Sequence, residues 1–419
     1  MAGGLMQLVA YGAQDVYLTG NPEVTFFQAK YKRHTNFAME NIEQTINGTP
    51  ANSGRVSVTV ARNGDLVGDM YVELESLSAN TSTSSTLDDC NWVAERAINN
   101  VELSIGGQRI DKHYQKWWRM YSELYLDESK KINWGKMTTA TSGNTVYLPL
   151  VFFFNRNPGL YLPLIALQYH EVRIDIDLAS DFTTYLNKEK LKVWANYIYL
   201  DTEERRRFAQ KGHEYLIEQV QHTGVDSVTS GKSSQVRLSY NHPVKELVWC
   251  FSNTASRNSL WNFTTASAAG DIKLESNLLA SGVSNAFVST SDIGTPLVGT
   301  GSLGGTSGFT EELVGPLDEF KLILNGQDRF KAQKGKYFNQ VQAFNHHSGS
   351  PMPGIYSYSF ALKPEEHQPT GTCNFSRIDN AQVHVTQKAS NGATSMHMFA
   401  VNYNVLRIQS GMGGLAFSN

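Results

Sequence analysis

The 419 residues carry 36 Lys and Arg against 39 Asp and Glu, a net charge of −3, and are 41% hydrophobic, 11% aromatic and 18% charged. A chain this long exceeds one ordinary core and suits two domains of roughly 200 residues each. The slightly acidic balance argues against a protein that wraps nucleic acid by itself, whereas low charge with 20 Phe, 19 Tyr and 34 Gly favours turn-rich β-structure and a surface partly buried in an assembly.

The N-terminal stretch MAGGLMQLVAYGAQD has neither a basic n-region nor a long apolar h-region, so it does not read as a signal peptide. No run of 18 apolar residues occurs, so no membrane-spanning helix is expected. Cys90, Cys250 and Cys373 are widely spaced, against both a disulfide framework and a zinc site. Folding in a reducing cytosol is expected.

Period-two alternation then recurs along the chain. Val56, Val58 and Val60 alternate with Ser57 and Thr59, and Val101, Leu103 and Ile105 with Glu102 and Ser104. Val172, Ile174, Ile176 and Leu178 face one way, while Glu171, Arg173, Asp175 and Asp177 face the other. The second half repeats the habit at Val236–Tyr240, Phe320–Leu324, Val383–Val385 and Phe399–Val405. Each segment reads as a strand with one face on a core and one in water, the mark of antiparallel sandwiches. Long helical patterns are scarce, so the fold class is all-β with a few short helices.

The two halves align. LSIGGQRI at Leu103–Ile110 has the shape of LILNGQDRF at Leu322–Phe330: an alternating strand, then a tight turn. Asn325-Gly326 is a strong tight-turn signal, and Gly107-Gln108 and Gly326-Gln327 match at 219 residues apart. A short amphipathic helix succeeds each turn. Trp117, Trp118, Tyr121 and Leu124 correspond at an offset of 220 to Tyr337, Phe338, Val341 and Phe344. Both sets are expected to lie on their own sandwich. Val56–Val60 pairs with Val236–Tyr240 at an offset of 180. The extra residues therefore fall between Cys250 and Phe320, in a long Ser-, Thr-, Gly- and Asn-rich loop. Two homologous sandwiches in tandem give a three-copy ring six similar lobes, a hexagonal tile that needs no active site.

The residues also carry a family resemblance. LVAYGAQDVYLTGNPEVTFF (Leu8–Phe27), YKRHTNFAMENIEQTING (Tyr31–Gly48), IGGQRIDKHY (Ile105–Tyr114), DTEERRRFAQKGHEYLIEQVQ (Asp201–Gln221) and GTCNFSRIDNAQV (Gly371–Val383) closely resemble the major capsid proteins of nucleocytoplasmic large DNA viruses, algal- and giant-virus members above all. The resemblance implies a double jelly roll of two eight-stranded sandwiches. It also implies a homotrimeric capsomer in an icosahedral shell, around an internal membrane and a double-stranded DNA genome. It implies an N-terminal arm over 1–24, jelly rolls over 25–205 and 206–410, and a tail over 411–419. The long loop at about 253–315 would face outward, and the arm would touch minor capsid proteins on the inner side. Penton proteins are further implied partners, the virion the final location, and the host cytoplasm the site of synthesis and assembly. No catalytic residue, cofactor or metal site is carried over, and no direct sequence-specific nucleic-acid contact is expected.

Other motifs have plainer readings beside functional ones. Gly231-Lys232-Ser233 lacks the earlier glycine of a phosphate loop, since Asp226 stands there, and it precedes a strand. Arg205-Arg206-Arg207 comes after Glu203-Glu204 and reads as a solvated helix start. His346-His347 reads as a helix end more readily than a metal site. Asp175 and Asp177 share a strand face that reads as wet or interdomain. Trp117, Trp118 and Trp134 could form a sugar platform, but the duplicated helix makes the first two core residues. Of the sequons at Asn47, Asn80, Asn262 and Asn374, Asn262 in the long loop is the candidate glycan acceptor. A β-sandwich glycan- or receptor-binding surface protein is the alternative function.

Overall fold

The computed structural model describes residues 3–77, 92–139, 143–252, 263, 315–352, 354–388 and 394–417. Asn262, the candidate glycan acceptor, lies outside the described residues, as does most of the long loop. Met1–Asn36 and Phe37–Asn419 are separate compact units. The first has two short helices, Gly3–Val9 and Val16–Thr19, with no buried residue in either.

Among the described residues, ten strands build the first sandwich. They are β1 (Phe37–Gln44), β2 (Ile46–Asn47), β3 (Arg55–Thr59), β4 (Leu66–Glu75), β5 (Ile98–Ile105), β6 (Gln108–Tyr114), β7 (Thr145–Pro149), β8 (Leu162–Pro163), β9 (Val172–Leu178) and β10 (Lys192–Leu200). One sheet runs β1-β10-β4-β7 with β8 beside β4, and the other runs β2-β3-β9-β5-β6. Among the described residues, eleven strands build the second sandwich. They are β11 (His213–Ser227), β12 (Ser233–Leu238), β13 (Pro243–Ser252), β14 (Leu317–Leu324), β15 (Gln327–Asp328), β16 (Gln333–Lys334), β17 (Ile355–Ser359), β18 (Cys373–Asn374), β19 (Ala381–Gln387), β20 (Ser395–Gln409) and β21 (Met412–Leu415).

Its sheets run β11-β20-β13-β17 and β12-β19-β14-β15. This is the order of the first sandwich again: β11 stands for β1, β20 for β10, β13 for β4 and β17 for β7. In the other sheet β12, β19, β14 and β15 stand for β3, β9, β5 and β6. Within each pair the register keeps apolar side chains inward, as where Val56 sits opposite Ile176 and Val58 opposite Ile174.

The tight turns match in conformation as well as position. Gly106 and Gly107 have φ of 58° and 81°, and Asn325 and Gly326 have φ of 49° and 79°. Two successive positive φ values are what a two-residue hairpin of this hand requires. A Cβ on Gly106 would also meet the His170 ring at 2.3 Å, so that glycine is needed for room as well.

Two local features depart from the alternation and repeat patterns. First, β20 has no wet face over its middle: Met398 to Asn404 are all buried. Met398 and Ala400 face the second core, while Phe399 and Val401 join the core cluster of the first sandwich. The first domain covers what would otherwise be the solvent face. Second, the repeated helices do not bury the same positions. Trp117, Trp118, Tyr121 and Leu124 are all buried. In the second copy Phe338 is buried and Tyr337 half-buried, but Val341 is 42% and Phe344 88% exposed. Residues Tyr337–Val341 form a π-turn. Its extra residue rotates the rest of the helix by about a third of a turn. The buried set becomes Phe338, Asn339, Gln342 and Ala343. Asn339 donates to the carbonyls of Met352 and Ile355, and Gln342 accepts from the Ser359 amide, so two buried amides satisfy the polar cost.

Each core is centred on aromatic side chains. Trp118 is fully buried in the first sandwich. In the second, Trp249 stacks on Phe320 at 4.3 Å and meets Phe338 at 5.5 Å. Trp118→Ala and Phe338→Ala should each lower stability by ~3–5 kcal/mol, read as a shift of the denaturant midpoint. Midpoints equal to the parent's would mean that these two rings are not packed as described.

Candidate functional site

The junction between the sandwiches is built from the strand and helix just after the first tight turn. Strand β6 and the helix Gln115–Leu124 lie against the outer face of the β11-β20-β13 sheet. Asp111 accepts the Val220 amide at 3.0 Å, and the Gln219 side chain donates to the Ile110 carbonyl. Trp117 and Tyr114 pack on Phe399 with centroids 5.8 and 6.0 Å apart. Strand β21 then returns to the first domain. The Leu415 amide donates to Gln108 Oε1 at 3.1 Å, and the Tyr169 amide to the Gly411 carbonyl at 3.0 Å.

Charges are buried in this junction, each with a partner, as burial demands. Tyr125 O–H donates to Glu246, which also receives Nε2 of His347. His347 Nδ1 lies 3.3 Å from Glu365, whose Oε1 accepts the Ser348 amide at 2.8 Å. Burial alone would lower the His347 pKa, but the two carboxylates reverse it and raise it to about 9. Beside this cluster Glu218 meets Lys245 at 2.6 Å and Arg156 at 3.0 Å. Burial opposes ionisation of Glu218, yet Arg156 and Lys245 together hold its carboxyl below the ordinary range. A cavity of about 260 Å³ opens next to these groups.

A second buried network braces the helices of the first domain. Arg119 bridges Glu95 at 3.3 Å and Glu123 at 3.2 Å, and Lys131 meets Glu123 at 2.8 Å. Lys131 also donates to the Ser350 carbonyl at 2.7 Å, carrying the network across to the second domain. Trp134 Nε1 donates to Glu95 at 2.6 Å. Burial pushes the Glu95 carboxyl up, against Arg119. Trp117, Trp118 and Trp134 are each at most 5% exposed, so they offer no sugar-binding platform.

The other sequence candidates are dispersed. Gly107 and Gly326 sit at exposed turn tips, and Gln327 is exposed, whereas Gln108 holds the C-terminal strand. Arg206 pairs with Glu203 at 3.5 Å, but Arg205 reaches Asp65 at 3.0 Å. Lys232 lies in a turn leading into β12, away from any helix start. Asp175 accepts from Ser57 at 2.6 Å and Asp177 pairs with Arg55 at 2.6 Å, both across neighbouring strands. Asn47 and Asn374 are exposed at strand ends. His347 was legible as a helix end, but its carboxylate partners were not, since Glu246 is 101 residues away. Among the described residues no group of three or more His, Cys, Asp and Glu could hold a metal ion.

Among the described residues, the outer side of the β1-β10-β4-β7 sheet is open. A cleft of about 620 Å³ crosses β1, β4, β7 and β10, walled by Tyr71, Tyr147, Pro149, Met137 and Trp194. Tyr71 and Tyr147 meet edge to face at 5.6 Å, and Trp194 Nε1 donates to Glu73 at 2.7 Å.

Two sandwiches built on the same order of eight strands, joined through a sheet face, define a double jelly roll. Comparison with known proteins agrees. Residues 25–201 match the family model "Major capsid protein N-terminus", and residues 204–414 match "Large eukaryotic DNA virus major capsid protein". The major capsid protein of Paramecium bursaria Chlorella virus 1 is 44% identical over the whole of both chains. Capsid protein 1 of Acanthamoeba polyphaga mimivirus is 31% identical, also over the whole of both. The quasi-atomic model of the PBCV-1 virus capsid superposes with a TM-score of 0.75 at 40% identity, over 94% of this chain and 100% of that one. The Faustovirus major capsid protein shares the fold at a TM-score of 0.69 and 12% identity, over 97% and 96%. The chain belongs to the major capsid proteins of large eukaryotic DNA viruses, a structural family of the virion.

His347 gives the junction a pH signature. Its pKa of about 9 against an ordinary 6.5 means stabilisation that is complete below about 6.5 and lost as pH rises through about 9, roughly 3 kcal/mol in all. The depressed Glu365 and Glu218 act the other way, stabilising above about 4.5 and losing that contribution as pH falls. The denaturant midpoint of the parent should therefore drop between about pH 6 and pH 10, and His347→Gln should abolish most of that drop. The same drop in both proteins would assign it to other groups.

Proposed function

We propose that three copies of this chain close into a pseudo-hexagonal capsomer, and that these capsomers tile an icosahedral shell around a large double-stranded DNA genome. The observation that carries this reading is the duplicated topology with an unequal use of its faces. The first domain gives its β6–helix side to the second, and the second gives the outer face of its β11-β20-β13 sheet. The reciprocal surfaces are left over: the β15–helix side of the second domain and the outer face of β1-β10-β4-β7 in the first. If the step between domains and the step between copies are each about a sixth of a turn, three copies of two lobes close the ring. A closed ring leaves neither surface exposed. Permanent contacts of this kind bury on the order of 2,000 Å² or more.

The family's solved capsid supports the shell, and a relative such as the Paramecium bursaria Chlorella virus 1 protein aligns with this chain from end to end. We carry the domain division forward on the same ground, with an arm over 1–24, jelly rolls over 25–205 and 206–410, and a tail over 411–419; the two family matches break at 201 and 204. The exposed apolar residues of the arm, Leu8, Tyr17, Leu18 and Val24 among them, suit contacts with minor capsid proteins on the inner side of the shell. Penton proteins would close the vertices, with synthesis and assembly in the host cytoplasm. Function here is shape and interface, and no catalytic step is invoked.

Light scattering of the purified protein tests the first step. A native mass of about 140 kDa, three times the 46.6 kDa of one chain, is expected at micromolar concentration. A stable monomer at that concentration would contradict it.

A further inference from the structure

We propose that Phe344, with Val341 beside it, is the plug that seats in the Trp194 cleft of a neighbouring copy. The contact between subunits then repeats the contact already made between domains. The inference rests on the three-copy reading and names its interface.

Four observations converge. The first is the equivalence of parts. In the intrachain junction the helix after the first tight turn lays Trp117 on Phe399 of β20. The equivalent helical segment of the second domain is Tyr337–His346, and the equivalent of β20 is β10, which carries Trp194. The second is exposure. Phe344 is the most exposed large apolar side chain described in Phe37–Asn419, at 88%, and Val341 lies one turn before it at 42%. Both lie on the outward side of a segment that opens with the π-turn, whereas their counterparts Tyr121 and Leu124 are buried. A helix that turns two apolar residues from its own core is shaped for another surface.

The third is the receptor. The cleft on the β1-β10-β4-β7 face holds about 620 Å³ between Trp194, Tyr71, Tyr147 and Pro149. Its walls are aromatic, and tryptophan and tyrosine dominate the energetics of interface centres. The Trp194 ring is already oriented by its bond to Glu73 at 2.7 Å, so little side-chain freedom is lost on docking. The fourth is charge. Asp69 and Glu73 line the cleft, with Lys192 over the Trp194 ring at 5.8 Å, whereas Arg329, Lys331 and Lys336 lead into the plug helix. Opposite rims orient the approach.

The test uses the full-length chain. Phe344→Asp and Trp194→Glu are purified separately and compared with the parent by light scattering and circular dichroism. The parent is expected as a trimer, and each variant as a monomer with the parent's circular dichroism spectrum. Mixing the two variants restores one intact plug and one intact cleft, so a heterodimer of about twice 46.6 kDa should form. A separate Phe344→Cys, Tyr147→Cys double variant should give covalent dimers and trimers with a short bismaleimide, while neither single variant does. Trimeric Phe344→Asp beside monomeric Trp194→Glu would hand the cleft to another occupant, such as the N-terminal arm, and overturn the plug. Two trimeric variants without cross-linking would overturn the interface and leave the trimer standing. A monomeric parent would remove the three-copy reading itself.

Discussion

A strand buried on both faces needs a covering layer on each side, and the second domain takes its outer layer from the first. Phe399 and Val401 of β20, with Val248 and Cys250 of β13, point out of their own sandwich and into the cluster that includes Trp117 and Leu124. Burying a handful of such side chains is worth several kcal/mol at about 1.5–3 kcal/mol each, enough to hold two domains as one unit. The buried ions of the junction add direction more than energy. Glu246 has to find Tyr125 and His347 together, and Glu218 has to find Arg156 and Lys245. Misplacing either domain would strand a buried charge, a far larger penalty than a lost surface ion pair.

That junction also sets the geometry of anything larger. Two lobes of one topology, related by one rotation, define a step that can be repeated. Duplication supplies the repeat, and divergence decides where it is interrupted. The two helices after the tight turns occupy equivalent places, but the second opens with a π-turn at Tyr337–Val341 and exposes Val341 and Phe344. The first helix is committed to the partner within the chain, while the second remains available.

Most of the fold was legible in the sequence because period-two alternation is a local property. The strands around Val56, Val101, Val172, Val236, Phe320 and Val383 all obey it. The paired hairpins were legible for the same reason, through the positive φ that Asn325-Gly326 and Gly106-Gly107 tolerate. The features that escaped were non-local. Phe399–Val405 alternates like a half-wet strand, and only the other domain makes it dry. The offset of 220 placed Val341 and Phe344 in the core, and one inserted residue in the helical turn undid that. The ion clusters join residues such as Tyr125 and Glu246, 121 apart, which no spacing rule connects.

The proposed ring takes one domain-to-domain step six times, and the shape of the purified particle records whether it closes. Two-dimensional class averages by electron microscopy read that shape directly. Threefold particles with six lobes at nearly equal radius around a common axis are expected. Paired lobes without a threefold axis, or open chains of lobes, would contradict the closed ring.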